Sequence, residues 1–87
     1  MATIGLCMIV KNEAAVIARC LQSVASWIDT WTIVDTGSTD QTAAVIQSTT
    51  QALGIPGRLH HRLWQDFGHN RSEAIELARA HSDYLLF

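Results

Sequence analysis

The sequence has few of the residues that distinguish unusual chains. Its 87 residues include one proline, five glycines and two cysteines, and only 16% of them are charged. This composition excludes a disordered or collagen-like chain, and the length allows one domain at most. The absence of a C-x-x-C pair argues against a zinc site. We therefore predict that Cys7 and Cys20 are buried free thiols of a reducing compartment.

The sequence also lacks any run of like charges. Its net charge is −2, which offers no long-range attraction for nucleic acid or for an acidic membrane surface. The apolar run Ile4–Val10 is too short to span a bilayer, and no basic segment precedes it. These features predict a cytoplasmic chain with no membrane segment and no nucleic-acid partner.

Apolar runs alternate with amphipathic stretches along the whole chain. The runs predict strands at residues 3–10, 31–34 and 57–63, with a fourth strand beginning at Tyr84. The stretches between them predict helices at residues 12–26, 39–53 and 69–81. This order predicts an α/β fold, β-α-β-α-β-α-β, with a parallel sheet flanked by helices. The third strand carries charges that suit a sheet edge.

Polar residues and one glycine indicate where the helices begin and end. Asn12 is a natural N-cap of the first helix. Ser38 and Gln41 have the spacing of a capping box for the second helix. Gly54 is suited to end that helix.

Polar residues also follow each of the first three strands. Ligands of parallel sheets bind at the carboxyl ends of the strands, so we expect a polar cleft there. Asp35 ends the second strand and either contacts a nucleoside, caps the second helix or accepts hydrogen bonds from amides of its own loop. Arg71 lies on the helix stripe of Ala74 and Ala78, at the end nearest the cleft. It either holds a diphosphate or pairs with Asp35 or Asp66.

Three other features of the sequence concern its tryptophans, its lack of catalytic motifs and its last residues. The three tryptophans are expected to pack, with Trp64 also at the edge of the cleft. No serine elbow or cysteine–histidine pair is recognisable, so no catalytic residue is predicted. The chain stops inside the apolar run that begins at Tyr84, which we interpret as a fragment end. Such an uncapped edge favours self-association.

Four segments, in this order, resemble those of family 2 glycosyltransferases. They are LCMIVKNE at residues 6–13, IVDTGSTDQT at 33–42, WQDFGHNR at 64–71 and YLLF at 84–87. The resemblance covers essentially the whole chain and implies the Rossmann-like first half of a GT-A fold. Residues 1–87 would then be the nucleotide-sugar-binding N-terminal half of a glycosyltransferase domain.

The resemblance also implies a substrate and a site. The parent enzyme would transfer a sugar from a nucleotide diphosphate donor, usually UDP-linked, to an unknown acceptor. Thr36 stands where many relatives have a second acidic residue. The positions that match donor-binding residues of the family are Ile9, Val10, Glu13, Asp35, Thr36 and Arg71.

The resemblance places the remaining machinery after Phe87. The D-x-D carboxylates that hold Mg²⁺ or Mn²⁺, the acceptor site and the general base would all lie there. The fragment alone is therefore expected to hold no metal and to be inactive. Two alternatives remain open at this point: a non-catalytic Rossmann-like nucleotide-binding or regulatory module, and a structural chain whose strand ends are closed by internal hydrogen bonds.

Overall fold

The computed structural model describes residues 3–79 and 84–86. Within them the strands and helices follow the order β-α-β-α-β-α-β, as predicted, and the α/β fold class is confirmed. The predicted helix end at His81 lies outside the described residues. The elements are β1 Ile4–Val10, α1 Ile17–Val24, β2 Thr30–Asp35, α2 Thr42–Leu53, β3 Gly57–His61, α3 Phe67–Arg79 and β4 Tyr84–Leu86.

The strands form one parallel sheet in the order β3-β2-β1-β4. Strand β3 lies at an edge, as its charges predict. In the register of the sheet, Val10 of β1 is level with Asp35 of β2, and Asp35 is level with His61 of β3. The carboxyl ends of these three strands therefore lie side by side.

Each face of the sheet packs against different helices. On one face, residues of β1 and β2 such as Leu6 and Ile33 form a core with α1 and α2. On the other face, Cys7 and Val34 pack against alanines of α3. This division follows from the strand period of two, which sends successive side chains to opposite faces. Burial raises the pKa of the Cys7 thiol to about 11, and both cysteines are free, although Cys20 is only half-buried.

The first two helices begin later than predicted. Helix α1 begins at Ile17 and α2 at Thr42, and the residue before each makes no side-chain capping hydrogen bond. The predicted capping roles of Asn12 and of the Ser38–Gln41 pair are therefore wrong. Gly54 ends α2 as predicted, with a φ of 71° and its N–H bonded to carbonyls of the last turn.

Helix α3 turns a different face to the sheet from the one predicted. It begins at Phe67, and the Asp66 carboxylate caps it by accepting a hydrogen bond from the His69 N–H at 2.7 Å. Ala74 and Ala78 are buried as predicted. Arg71, however, is exposed, so its predicted place on the buried stripe is wrong. The buried polar residue at this end of the helix is its neighbour Asn70.

Some predicted packing residues are exposed instead. Leu53, predicted to face inward, is 37% exposed, and Trp27 is 69% exposed. Trp31, by contrast, is buried, and its indole N–H donates a hydrogen bond to the Ile55 carbonyl at 2.9 Å. Of these two tryptophans, only Trp31 has the predicted packing role.

Gly57 gives a test of this packing, because it lies directly over the indole of Trp31. A Cβ atom at this position would lie 2.3 Å from three indole atoms. We expect Gly57→Ala to lower the free energy of unfolding by about 1–3 kcal/mol through overpacking. The measurement is urea denaturation. Gly68→Ala in α3 is the control: its Cβ would meet only Asp66 Oδ1, at 3.4 Å, and alanine is the better helix former. Equal stability of both variants would contradict the expectation.

Candidate functional site

Three loops meet where the carboxyl ends of β1, β2 and β3 lie side by side. They are the β1–α1 loop at residues 11–16, the β2–α2 loop at 36–41 and the β3–α3 loop at 62–66. In open parallel sheets this edge is where ligands bind. The geometry of the three loops therefore decides what the chain can bind.

Asn12 ties the first loop to the second. Its backbone N–H donates a hydrogen bond to Ser38 Oγ at 2.9 Å, and its Oδ1 accepts one from the Thr39 N–H at 2.7 Å. Asn12 has a φ of 54°, a left-handed conformation that asparagine tolerates better than most residues. The polar side chains predicted to cap two helices thus connect two loops instead.

Two further hydrogen bonds extend this connection. The Glu13 N–H donates to Thr42 Oγ1 at 2.8 Å, and the Ala14 N–H donates to Asp40 Oδ2 at 3.3 Å. Asp40 also accepts hydrogen bonds from the N–H and the hydroxyl of Thr42. The hydroxyl bond is the main reason why the pKa of Asp40 is lowered. We call the hydrogen bonds of Asn12, Glu13 and Ala14 with residues 38–42 the interloop bridge.

Asp35 is buried at the end of β2 and holds the turn that follows it. Its Oδ1 accepts hydrogen bonds from the N–H groups of Gly37 and Ser38, at 3.0 and 2.8 Å. Gly37 has a φ of 109°, which explains why glycine stands at this turn. Of the predicted roles of Asp35, the structure shows the bonding to its own loop and not the capping of α2. Contact with a nucleoside stays a prediction.

Thr36 joins the end of β2 to the end of β1. Its N–H and its hydroxyl both donate to the Val10 carbonyl, at 3.0 and 3.2 Å. Because this hydroxyl has one proton and uses it here, the Thr36 oxygen can only accept a hydrogen bond from a ligand.

Two cavities lie at this edge, on opposite faces of the sheet. The first, about 330 Å³, is bounded by Phe67 of α3, and we call it the α3-side cavity. The second, about 320 Å³, is bounded by Ala43 of α2, and we call it the α2-side cavity. Thr36 lines the first and Asp35 the second. Successive residues at a strand end point to opposite faces, so this separation is a consequence of strand geometry.

The structure brings together four of the six residues predicted for donor binding. Asp35 lines the α2-side cavity, and Arg71 is exposed on α3 and is not part of the lining of either cavity. Lys11 and Phe67, which the sequence analysis missed, also line the α3-side cavity, and Trp64 lies at its edge as predicted. The four predicted residues that line this cavity are Ile9, Val10, Glu13 and Thr36.

The Asn70 side chain holds the β3–α3 loop in place through two hydrogen bonds. Its side chain is fully buried, and its Oδ1 accepts a hydrogen bond from the Gln65 N–H at 2.9 Å. Its Nδ2 donates to the Leu63 carbonyl at 3.0 Å. These two partners are the neighbours of Trp64 on either side, so a single buried amide holds the segment that carries this tryptophan.

The α2-side cavity has a mixed charge. It is lined by Asp35, Asp40 and Arg62. The Arg62 guanidinium pairs with Glu73 of α3, with its Nε 3.4 Å from the carboxylate. Because the two side chains are 38% and 33% exposed, this pair contributes little to stability.

The part of the chain that the structure describes offers no metal site. No three histidine, cysteine, aspartate or glutamate side chains in it are grouped so that they could hold an ion. The Mg²⁺ or Mn²⁺ expected in the intact parent therefore stays a prediction, and no chemical step is derived through it. Among the helices of residues 3–79, none is both long and apolar enough to cross a membrane.

A protein-family model tests the resemblance of this chain to family 2 glycosyltransferases. A model of glycosyl transferase family 2 matches residues 6–87. The chain belongs to glycosyltransferase family 2. This membership confirms the resemblance and agrees with the Rossmann-like half seen in the sheet.

Two relatives of this family 2 chain are much longer than the chain itself. It is 41% identical to a TPR repeat-containing protein of Synechococcus elongatus over 87 residues, which is 99% of this chain and 20% of that protein. It is 36% identical to the lipopolysaccharide core biosynthesis glycosyltransferase LpsC of Rhizobium meliloti over 69 residues, 79% of this chain and 25% of that protein. The chain thus spans about a fifth to a quarter of their length.

The lowered pKa of Asp40 predicts an effect of acid on the interloop bridge. A carboxylate with a folded-state pKa below its ordinary value of 3.8 stabilises the fold at neutral pH. This contribution is lost as the pH falls through the lowered pKa. We expect Asp40→Asn, which cannot ionise, to flatten the loss of stability below about pH 4. Urea midpoints between about pH 2 and pH 6 measure it. Parallel pH profiles of the two proteins would show that Asp40 has no such role.

Proposed function

We propose that the α3-side cavity binds the nucleoside part of a nucleotide diphosphate sugar, with UDP as the nucleotide. The observation that carries this proposal is the convergence of residues far apart in sequence. Val10 and Glu13 from the first loop region line one cavity together with Thr36 from the second. The cavity lies at the carboxyl ends of parallel strands, and its volume of about 330 Å³ is in the range of ligand sites.

The chemistry of the lining supports a nucleotide. Thr36 Oγ1 offers an acceptor to the ring N–H of a pyrimidine, because its own proton goes to the Val10 carbonyl. The Glu13 carboxylate can accept hydrogen bonds from ribose hydroxyls, and the Lys11 ammonium can attract a phosphate. Ile9, on the α3 face of the sheet, supplies apolar lining of the kind that most ligand sites have, whereas the Val10 side chain is buried in the core on the other face.

Asp35 and Arg71 have different places in this proposal. Asp35 would approach the nucleoside from the α2 side of the same sheet edge, with its carboxylate held by the turn amides. Arg71 is exposed near the beginning of α3, where a guanidinium can reach toward a diphosphate outside the cavity. Both roles rest on the resemblance to the family.

Family membership supports sugar transfer by the whole protein. We propose that the protein transfers the sugar of this donor to an acceptor hydroxyl, whose chemical identity the chain leaves open. The described residues supply donor binding and no catalytic base. The non-catalytic module predicts nucleotide binding without transfer, so product formation from a UDP-sugar distinguishes the two functions.

An amide ¹H–¹⁵N spectrum of the protein titrated with UDP tests the binding proposal. We expect the signals of Ile9, Glu13 and Thr36 to move, because these residues line the cavity. Thr30 and Gly57, at the amino ends of β2 and β3, are internal controls whose signals should stay in place. A spectrum that does not respond to millimolar UDP would refute the proposed site.

Arg71 gives a second prediction. We expect Arg71→Ala to weaken donor binding, or to lower kcat/KM, by about tenfold or more, which is typical for the loss of a charged contact. Arg79→Ala is the matched control, since Arg79 lies at the other end of α3 and pairs with Glu76. Donor titration and steady-state kinetics measure both variants. An Arg71 variant with the kinetics of the control would exclude the assigned contact.

A further inference from the structure

We propose that Trp64, together with Phe67, forms the aromatic wall on which the base of the nucleotide stacks. This inference rests on the proposed function and adds to it a side chain that positions the base. It assigns to the β3–α3 loop a direct part in donor recognition, alongside the first two loops.

The exposure of the two rings is the first observation. Trp64 is 51% exposed and Phe67 is 58% exposed, whereas Trp31 in the core is 3% exposed. Both rings border the α3-side cavity, which polar residues of the first two loops also line. Large aromatic side chains gain stability by burial, so two exposed rings that line one cavity favour a flat ligand.

The support beneath Trp64 is the second observation. The buried Asn70 amide binds the backbone of Leu63 and of Gln65, the residues before and after the tryptophan. The Asp66 carboxylate caps α3 and thereby fixes Phe67 as the first residue of the helix. A loop held at both neighbours of an exposed ring is suited to stacking, because little conformational freedom is lost when a ligand binds.

The arrangement of polar and aromatic groups also suits a nucleobase. A base has two flat faces, which stack on aromatic rings, and a polar edge, which forms hydrogen bonds. Trp64 would contact a face while Thr36 Oγ1 accepts a hydrogen bond from the edge. The wall and the acceptor come from different loops and line the same cavity.

The test compares two ligands and three variants in the protein. Calorimetry gives the Kd of UDP, which has a base, and of inorganic pyrophosphate, which has none. Trp64→Ala removes the ring, and Trp64→Phe retains an aromatic face. Trp27→Ala is the matched control. Trp27 is 69% exposed and lies just before β2, at the amino ends of the strands and away from the cavity.

We expect Trp64→Ala to raise the Kd of UDP by about 5- to 100-fold, as for other stacked bases. Its affinity for pyrophosphate should not change, Trp64→Phe should recover most of the UDP affinity, and Trp27→Ala should bind like the wild type. An equal loss for both ligands, or no loss at all, would overturn the stacking assignment. The latter is the result expected if another part of the protein covers the ring.

The two proposals fail in different ways. If the wild-type protein binds UDP and Trp64→Ala binds it equally well, the stacking wall is refuted and the donor site stands. If the wild-type protein does not bind UDP, the donor site is refuted, and the stacking wall with it. The indole N–H signal of Trp64 gives an independent readout, since a stacked base shifts it and pyrophosphate does not.

Discussion

The hydrogen bonds between the β1–α1 and β2–α2 loops are the constraint on which the site depends. Residues 12–14 and 38–42 satisfy each other's polar groups, although about 26 positions separate them along the chain. Asn12 and Ser38, which were predicted to cap α1 and α2, bind the facing loop instead, and the two helices begin only at Ile17 and Thr42. The pairing also leaves the side chains of Lys11 and Glu13 at the border of the α3-side cavity. The two loops at the carboxyl ends of β1 and β2 are therefore held together by hydrogen bonds and do not behave as independent loops.

Most of the fold could be predicted from the sequence because its signals are local and repeated. The apolar run Ile4–Val10, the helix stripe from Ile17 to Val24 and the left-handed Gly54 each determine structure within a few residues. The capping predictions for Asn12 and Ser38 failed for the same reason. A local pattern shows that a side chain can bind a nearby amide, but it does not show that a distant loop offers a better partner. Such competition is decided by tertiary structure.

The candidate site could be predicted only in part. The resemblance named Ile9, Val10, Glu13 and Thr36, and the structure places all four around one cavity. Arg71 and Asn70 show why the rest was missed. Residues three and four positions before Ala74 lie almost equally close to its helix face, so the pattern could not tell which of them is buried. The packing of α3 selects Asn70, and that choice gives the third loop its support.

The small side chains beneath α3 have a consequence for the width of the α3-side cavity. The helix meets the sheet through Ala74 and Ala78, which pack against Cys7 and Val34. Alanines let a helix approach a sheet closely. Because Phe67 is the first residue of the same helix, this close approach also brings Phe67 near the carboxyl ends of the strands. A bulkier residue at either alanine would push the helix outward and open the cavity without altering any residue that lines it. In this fold the width of the α3-side cavity is therefore adjustable from within the core, two to three helical turns away from Phe67.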